Sequence, residues 1–378
     1  MPVQPYDRRV PFNQLPPLPP DPKRYLDNQL TNKLALASRQ LAELKGLVSQ
    51  LPNQSLFINV VTLREAKASC AIEDIVTTND ALYKALSYQD EDIPEGPVKE
   101  ILRYRDALLV GYRATKPEGW MTFDVLISMY QTVMQSDNGL RPHQTKISFD
   151  KMRSWGTLVA DTVYTPPHGE GVVEQMLEDL IEFLDDDVKY PLDPLLKVAM
   201  GHYQLEAIHP FPDGNGRTGR ILCILYLIQK QLLDIPVLPL STYILQNKET
   251  YFLDPLCLME AKNWKRWILY MLEVISQSAE YTTHKIKQIQ AMMEKTERTV
   301  RERGLPATRL EISRLIELPY IRPKNLLSDR IKSINTAKKY LTELEAAGML
   351  TKEKAGKEYI WFNRELMNIL SEAKSEYV

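Results

Sequence analysis

Cysteine is scarce in this chain: three occur in 378 residues, Cys70, Cys223 and Cys257. Each sits in apolar surroundings, none forms a C-x-x-C pair, and no Cys/His cluster suggests zinc. The odd count fits a reducing compartment. Long hydrophobic runs are lacking too. The most apolar stretch, Ile221 to Leu233, is interrupted by Tyr226, Gln229, Lys230 and Gln231, well short of the ~20 residues that span a bilayer. No basic-plus-apolar leader precedes the body. A cytoplasmic protein with no membrane partner is expected. An excess of one charge is also missing: 47 Lys and Arg face 49 Asp and Glu, a net charge of −2, which argues against a generally cationic nucleic-acid binder. What remains, 44% hydrophobic and 25% charged residues, is ordinary for a soluble globular protein long enough for more than one folding unit.

Proline, by contrast, crowds the start. Pro16, Pro17, Pro19, Pro20 and Pro22 preclude helix or inner strand and predict an extended arm over residues 1–22, packed on the body in preference to serving as a ligand for a proline-binding module. Leu26, Leu30, Leu34, Ala37, Leu41, Leu44 and Val48 recur at helical spacing and predict a helix over 22–50, a core stripe or dimer surface, ended by Pro52 and Asn53. A second helix is expected from Ser55 to about Asp74. Residues 76–118 read as helical around a charged loop near Tyr88 to Pro97, and Thr122 is a plausible N-cap for a helix reaching Met134. Gly139 to Gly171 has no helical period. Within it Val163-Tyr164-Thr165 reads as extended chain closed by Pro166, Pro167 and Gly169, with His168 as a turn residue. Val172 to Leu184 is amphipathic, and Asp185, Asp186 and Asp187 after it are expected to be solvated charge. Trp264, Trp267, Ile268 and Met271 mark a core helix, continued by a charged linker helix over 276–303.

One stretch carries the chemistry: His209-Pro210-Phe211-Pro212-Asp213-Gly214-Asn215-Gly216-Arg217-Thr218-Gly219-Arg220. His209 precedes a proline, so the helix before it should stop there. Pro212 to Gly216 reads as a tight loop opening the buried helix that follows, and backbone N–H groups at such a place form an anion site. Arg217 and Arg220 are expected in the first turn of that helix, on one face, where the macrodipole disfavours cations. A bound polyanion would compensate. Asp213 beside an anion site makes sense if a divalent cation lies between it and phosphates, and His209 is left as proton acceptor. A helix–loop–helix corner with capping residues accounts for Asp213, Gly214 and Gly216 but not for two arginines and a histidine. The residues therefore point to a nucleotide triphosphate, Mg²⁺ and a base.

The same stretch matches without departure the signature of Fic-domain proteins, H-P-F-x-D-G-N-G-R-x-x-R, and the chain through Tyr190-Pro191-Leu192-Asp193-Pro194, Ala199, His202, Glu206 and Ile208 leads into it as in that family. The resemblance implies a mainly α fold: a helical core with a small β-hairpin flap. It implies transfer of AMP from ATP to a Ser, Thr or Tyr hydroxyl of a target protein, the chain itself among the candidates, with pyrophosphate released. By the same resemblance His209 is the base, Asp213 holds Mg²⁺, and Gly214, Asn215, Gly216, Arg217, Thr218, Gly219 and Arg220 bind the phosphates, with Phe211 anchoring the loop. Asn247 and Tyr251 are candidates for lining adenine and ribose. The hairpin implied around Val163, Tyr164 and Thr165, with Arg153 and Trp155 in the same stretch, would dock the target by strand addition. Ser69 and Glu73 resemble the family's inhibitory helix pattern, Ser/Thr-x-x-x-Glu-Gly/Asn, in which the Glu pairs with the second arginine of the motif, here Arg220, as a bidentate carboxylate–guanidinium pair. The departure is Asp74 in place of Gly or Asn, a residue that enters the left-handed conformation less readily than glycine.

Residues 304–378 read as a separate small domain: a short helix over 311–317, a longer one over 333–347 ended by Gly348, and a hairpin across Ala355-Gly356-Lys357. This resembles a winged helix-turn-helix. Its 13 Lys and Arg against 10 Asp and Glu, with Lys332, Lys338 and Lys339 clustered, favour a protein-interaction or dimer role over DNA contact. The expected division is an arm (1–22), a helical region with the inhibitory pattern (23–118), the Fic core (119–275), the linker helix (276–303) and the winged-helix-like domain (304–378). Rival readings are removal of AMP at the same site, with Glu73 positioning water, a different nucleotide donor, or a DNA-binding regulator with a degenerate enzyme domain.

Overall fold

The computed structural model describes residues 7–371 except 52–53, 89–94, 116–121, 153–157, 253–262, 303, 305–308, 316–318 and 356–357. Cys257, Arg153, Trp155, Pro52, Asn53, the loop acids at 90–92 and the tip of the C-terminal hairpin lie outside the described residues.

The fold is mainly helical. Helices α1 (Asn28–Ser49), α2 (Gln54–Ile72), α3 (Asn79–Tyr88), α4 (Pro97–Ala114) and α5 (Phe123–Met134) precede a hairpin of β1 (Ile147–Met152) and β2 (Leu158–Tyr164). Then come α6 (Val172–Asp185), α7 (Pro194–Ile208), α8 (Asn215–Gln229), α9 (Leu240–Gln246) and α10 (Trp264–Glu302). The chain closes with α11 (Arg309–Leu315), β3 (Tyr320–Ile321), α12 (Ile334–Ala346), β4 (Thr351–Ala355), β5 (Glu358–Phe362) and α13 (Arg364–Ser371). The three C-terminal strands form an antiparallel sheet in the order β3-β5-β4. None of the described helices is long and apolar enough to cross a membrane.

α7 and α8 form the centre, packed on each other and nearly wholly buried. α6 and α10 cover α7, α4 and α5 cover α8, and α2 wedges between α4 and α9. Glu65 fixes that wedge. This buried acid accepts from Tyr104 Oη at 2.9 Å, from the Ser241 N–H at 2.8 Å and from the Ser241 hydroxyl, tying α2 to α4 and α9.

Several elements differ from expectation for local reasons. α1 begins at Asn28, because Asp27 caps it by accepting the Leu30 N–H at 2.9 Å; Pro22–Arg24 forms a separate 3₁₀ turn. The expected core helix and linker are one helix, α10, whose apolar stripe runs on to Met293 and Val300. The acids after α6 are not merely solvated. Asp187 bridges the buried Lys197 ammonium at 2.6 Å and Lys230 at 2.7 Å, and Asp185 accepts from Gln229 at 2.7 Å. A buried lysine needs such a partner, and sequence alone does not show which lysine the fold buries. The arm does pack on the body: Phe12 N–H donates to the Thr165 carbonyl at 3.0 Å, and Asn13 exchanges two hydrogen bonds with the His168 backbone.

In the C-terminal part, Ile312, Leu326, Leu341 and Trp361 make a second apolar cluster. Leu366, Ile369 and Leu370 of α13 instead join the main core. Lys332, Lys338 and Lys339 are exposed.

Candidate active site

The loop between α7 and α8 is held from both sides. His209 ends α7 in the left-handed region, φ 49°, its N–H donating to the Leu205 carbonyl. Gly214 starts α8, also left-handed at φ 71°, which glycine adopts without strain. Asn215 closes the turn by a reciprocal pair: its Oδ1 accepts the Phe211 N–H and its Nδ2 donates to the Phe211 carbonyl, both at 2.9 Å. The Phe211 ring stacks on Tyr130 with centroids 4.1 Å apart, an anchor worth about 0.5–1.5 kcal/mol beyond burial. The loop backbone is thus held by its own hydrogen bonds and ring stack.

A cavity of about 260 Å³ opens over this loop. His209, Asp213, Gly214, Asn215, Gly216 and Arg220 line it, with Glu73, Glu206, Tyr251 and, from the hairpin, Ile147 and Tyr164. Burial lowers the His209 imidazole to about 4, reinforced by the Arg141 guanidinium, so the ring is neutral near pH 7 and free to take a proton. Arg141 was not legible as a site residue: it sits before Pro142 in a stretch without period. It donates to the His209 carbonyl at 2.7 Å, the Ile208 carbonyl at 3.4 Å and the Pro167 carbonyl, placing a cation at the C-terminus of α7 and locking His209.

The two arginines of the motif part company. Arg220 is the sixth residue of α8, beyond its first turn, because the helix already begins at Asn215. Its guanidinium is buried and clasped by the end of α2. Nε donates to Ser69 Oγ at 2.8 Å, and Nη2 donates to the Ser69 carbonyl at 3.0 Å and to Glu73 Oε1 at 2.8 Å. Glu73 therefore makes a single hydrogen bond and not a bidentate pair: Ser69 takes Nε and shares Nη2, and Nη1 is buried without a partner. Arg217 turns away from the cavity toward Glu100, at 3.5 Å, and Asp213, at 3.4 Å. Thr218 and Gly219 face the interior. A Cβ at Gly219 would lie 2.9 Å from Glu206 Oε1 and 3.1 Å from the His202 ring, and one at Gly216 would lie 2.7 Å from Glu73 Oε1, so a side chain at either position would displace the carboxylate beside it.

Asp74 takes the left-handed conformation, φ 62°. Ile75 N–H reaches the Cys70 carbonyl at 3.0 Å and Asp74 N–H reaches Ala71 at 3.2 Å, the two bonds of a Schellman end. Its carboxylate meets Lys248 Nζ at 2.8 Å. The helix end expected with glycine or asparagine forms with aspartate, aided by that ion pair.

Tyr251 is buried in the cavity wall, its hydroxyl 2.9 Å from His202 Nε2. Asn247 donates its amide to the Tyr243 carbonyl and is not a cavity-lining residue. Thr165 lies past the strand, its hydroxyl donating to the Arg8 carbonyl at 2.7 Å, and Val163 lies within β2. Tyr164 Oη donates to the Ala207 carbonyl at 2.7 Å, which fixes the hairpin base to α7.

Glu206 is an addition from the structure, since sequence marked it only as part of the approach to the motif. Burial raises its carboxyl to about 7, opposed by Arg220. Folded Glu206 therefore binds its proton more tightly than the unfolded chain does. Its contribution to stability falls as pH rises from the ordinary 4.5 through about 7, then levels, a total on the order of 3 kcal/mol. Urea unfolding at pH 5 and pH 8 checks this: the stability lost between them should shrink in Glu206→Gln by roughly that amount.

Asp213 is the candidate metal ligand. Its side chain is 74% exposed, with Oδ1 accepting the Gly214 N–H. Among the described residues no cluster of three or more ligating side chains occurs. A magnesium ion that takes its remaining oxygens from phosphates and water needs only one carboxylate, and Asp213 fits that pattern.

Residues 31–113 match the model "Fic/DOC family N-terminal", residues 120–227 match "Fic/DOC family", and residues 292–366 match "Protein adenylyltransferase SoFic-like, C-terminal domain". The chain is 39% identical over 79 residues to protein adenylyltransferase fic-1 of Caenorhabditis elegans, covering 21% of this chain and 15% of the relative. It is 32% identical over 125 residues to protein adenylyltransferase Fic of Nematostella vectensis, covering 32% and 25%. The matches thus span a quarter or less of these relatives' own length. A Fic family protein from Desulfovibrio desulfuricans shares the fold over 90% of this chain and 97% of its own, with TM-score 0.57 and 17% identity. The N-terminal, central and C-terminal models follow one another in order along the chain, over a loop whose every motif residue is in place, and the chain belongs to the Fic/DOC family.

Proposed function

We propose that the chain is a protein adenylyltransferase that moves AMP from ATP to a hydroxyl side chain of a target protein. One observation carries this reading: a neutral, half-buried imidazole, His209, and the N-terminus of α8 share one cavity. The target hydroxyl oxygen attacks the α-phosphorus in line and its proton passes to His209. The bond from the α-phosphorus to the bridging oxygen breaks, and pyrophosphate leaves with that electron pair. The N–H groups at Asn215 and Gly216 meet the negative charge gathering on the α-phosphate oxygens, the Gly214 N–H being held by Asp213, and Arg220 serves the terminal phosphates. Asp213 would hold Mg²⁺, which when bound neutralises phosphate charge. The hairpin bearing Ile147 and Tyr164 at the cavity edge supplies backbone for the target segment to pair with.

Glu73 regulates this site. Its carboxylate, with the Ser69 hydroxyl and carbonyl, occupies the Nε and Nη2 donors of Arg220 and leaves only Nη1 without a partner, so the γ-phosphate meets a guanidinium already held on one edge and a carboxylate in its path.

The reading is tested by labelling. With Mg²⁺ and ATP labelled at the α-phosphorus, the Glu73→Gly chain, alone or mixed with extract proteins, becomes labelled, while ATP labelled at the γ-phosphorus leaves protein unlabelled. Label carried from the γ position would mean phosphoryl transfer and would sink the proposal.

A further inference from the structure

A second cavity, of about 240 Å³, lies against α2 on the face opposite Ser69 and Glu73. Its walls come from α2, α3, α9 and α13, so it joins the helix that holds Arg220 to the C-terminal part of the chain. Leu82 and Leu245 supply apolar surface there.

The charge in this cavity is all of one sign. Arg64 and Lys67 stand three residues apart on one helix face, a spacing at which like charges repel. Among the described residues neither forms an ion pair. Arg64 Nη1 donates to the Leu370 carbonyl at 2.9 Å, and the guanidinium lies 4.4 Å over the Tyr281 ring. Closing the last turn of α13 explains that one donor. It does not explain Arg64 Nε, which is buried without a partner, nor a second cation beside it. Lys67 Nζ donates to Asn79 Oδ1 at 2.5 Å and to nothing else described; burial and the neighbouring guanidinium lower its affinity for the proton. Thr242 Oγ1, in the facing wall, is likewise buried and unpartnered. Two cations without acid partners and an unsatisfied hydroxyl converge in a hollow of mixed lining, with Asn79 and Gln246 beside Leu63, Leu82 and Leu245, a composition that suits a ligand with a charged head and a compact apolar body.

We infer that this cavity binds a small organic anion, with a phosphate or carboxylate head held by Arg64, Lys67 and Thr242 and an apolar body against Leu82 and Leu245. The space is just below the usual range of drug-sized ligand sites, which suits a compact molecule and is larger than a lone ion needs. A ligand there fastens α2 to α9 and α13. Where Glu73 on the same helix restrains Arg220, which rests on the function proposed above, occupancy holds the helix docked and slows AMP transfer.

Calorimetric titration of the full chain with 1-naphthyl phosphate tests the site independently of any catalysis. Binding is expected, weakened tenfold or more by Lys67→Met, which removes the charge and keeps the length, and equally by Leu245→Trp, which fills the mouth and keeps both cations. Uncharged 1-naphthol should bind at least tenfold more weakly. Unchanged affinity in both variants, or equal affinity for 1-naphthol, overturns the site. Saturating 1-naphthyl phosphate should lower AMP transfer by the wild-type chain and leave Lys67→Met unaffected; binding with no effect on transfer overturns the coupling alone. A chain that transfers no AMP would defeat the proposed function and leave the calorimetry to be read on its own.

Discussion

Glu73→Gly raises AMP transfer about ten- to a hundredfold. The size follows from the contact it removes. Arg220 is fully buried, Glu73 is 34% exposed, and the bond between them is a 2.8 Å charge-assisted hydrogen bond. Such bonds are worth roughly 1.5–3 kcal/mol, and each ~1.4 kcal/mol is tenfold in an equilibrium. ATP seated with its terminal phosphate on Arg220 must displace that bond, so the fraction of chain competent for transfer rises by this factor when the carboxylate is gone. Glu73→Gln, which keeps an acceptor and loses the charge, should fall between wild type and glycine. Rates of incorporation from α-labelled ATP measure all three. A glycine variant no faster than wild type would show that Ser69 and the packing of α2 do not need Glu73 to restrain the site.

The second large effect is a loss. On the Glu73→Gly background, His209→Ala should cut transfer about a hundred- to ten-thousandfold, the usual contribution of a positioned general base. Nucleotide affinity should change little, since His209 contributes a proton acceptor and not a phosphate ligand. With the imidazole at about 4 because burial and Arg141 oppose its protonation, the rate should be insensitive to this group from pH 6 to 8. It should fall as pH drops through about 4 to 5, where the ring acquires the proton it must be free to accept. A rate limb centred near 6.5, the ordinary histidine value, would mean that His209 is solvated when it works.

Sequence reading and structure agree where the physics is local. The 3.6-residue spacing of apolar side chains marks most helices within a few residues, because each such face must be buried whatever it is buried against. Proline and glycine punctuate the loop from His209 to Gly216 through backbone sterics alone. Even the departure at Asp74 is resolved locally by φ 62°, although the Lys248 that steadies it is 174 residues away.

The sequence by itself therefore determined the helical architecture, through apolar spacing along the chain, and the family and the cluster of His209, Asp213 and Gly214–Gly216, through twelve consecutive residues. Tertiary structure decided what each charge meets. Arg217 and Arg220 are alike in sequence, yet one turns to Glu100 and the other is clasped by Ser69 and Glu73. Arg141 acts on His209 from 68 residues away, and Lys197 is buried on the strength of Asp187. Arg64 and Lys67 are half-buried without acids to answer them. Backbone conformation and amphipathic period are set by neighbours along the chain, whereas the partner and the solvation of a charged side chain are set by whatever the folded chain brings beside it.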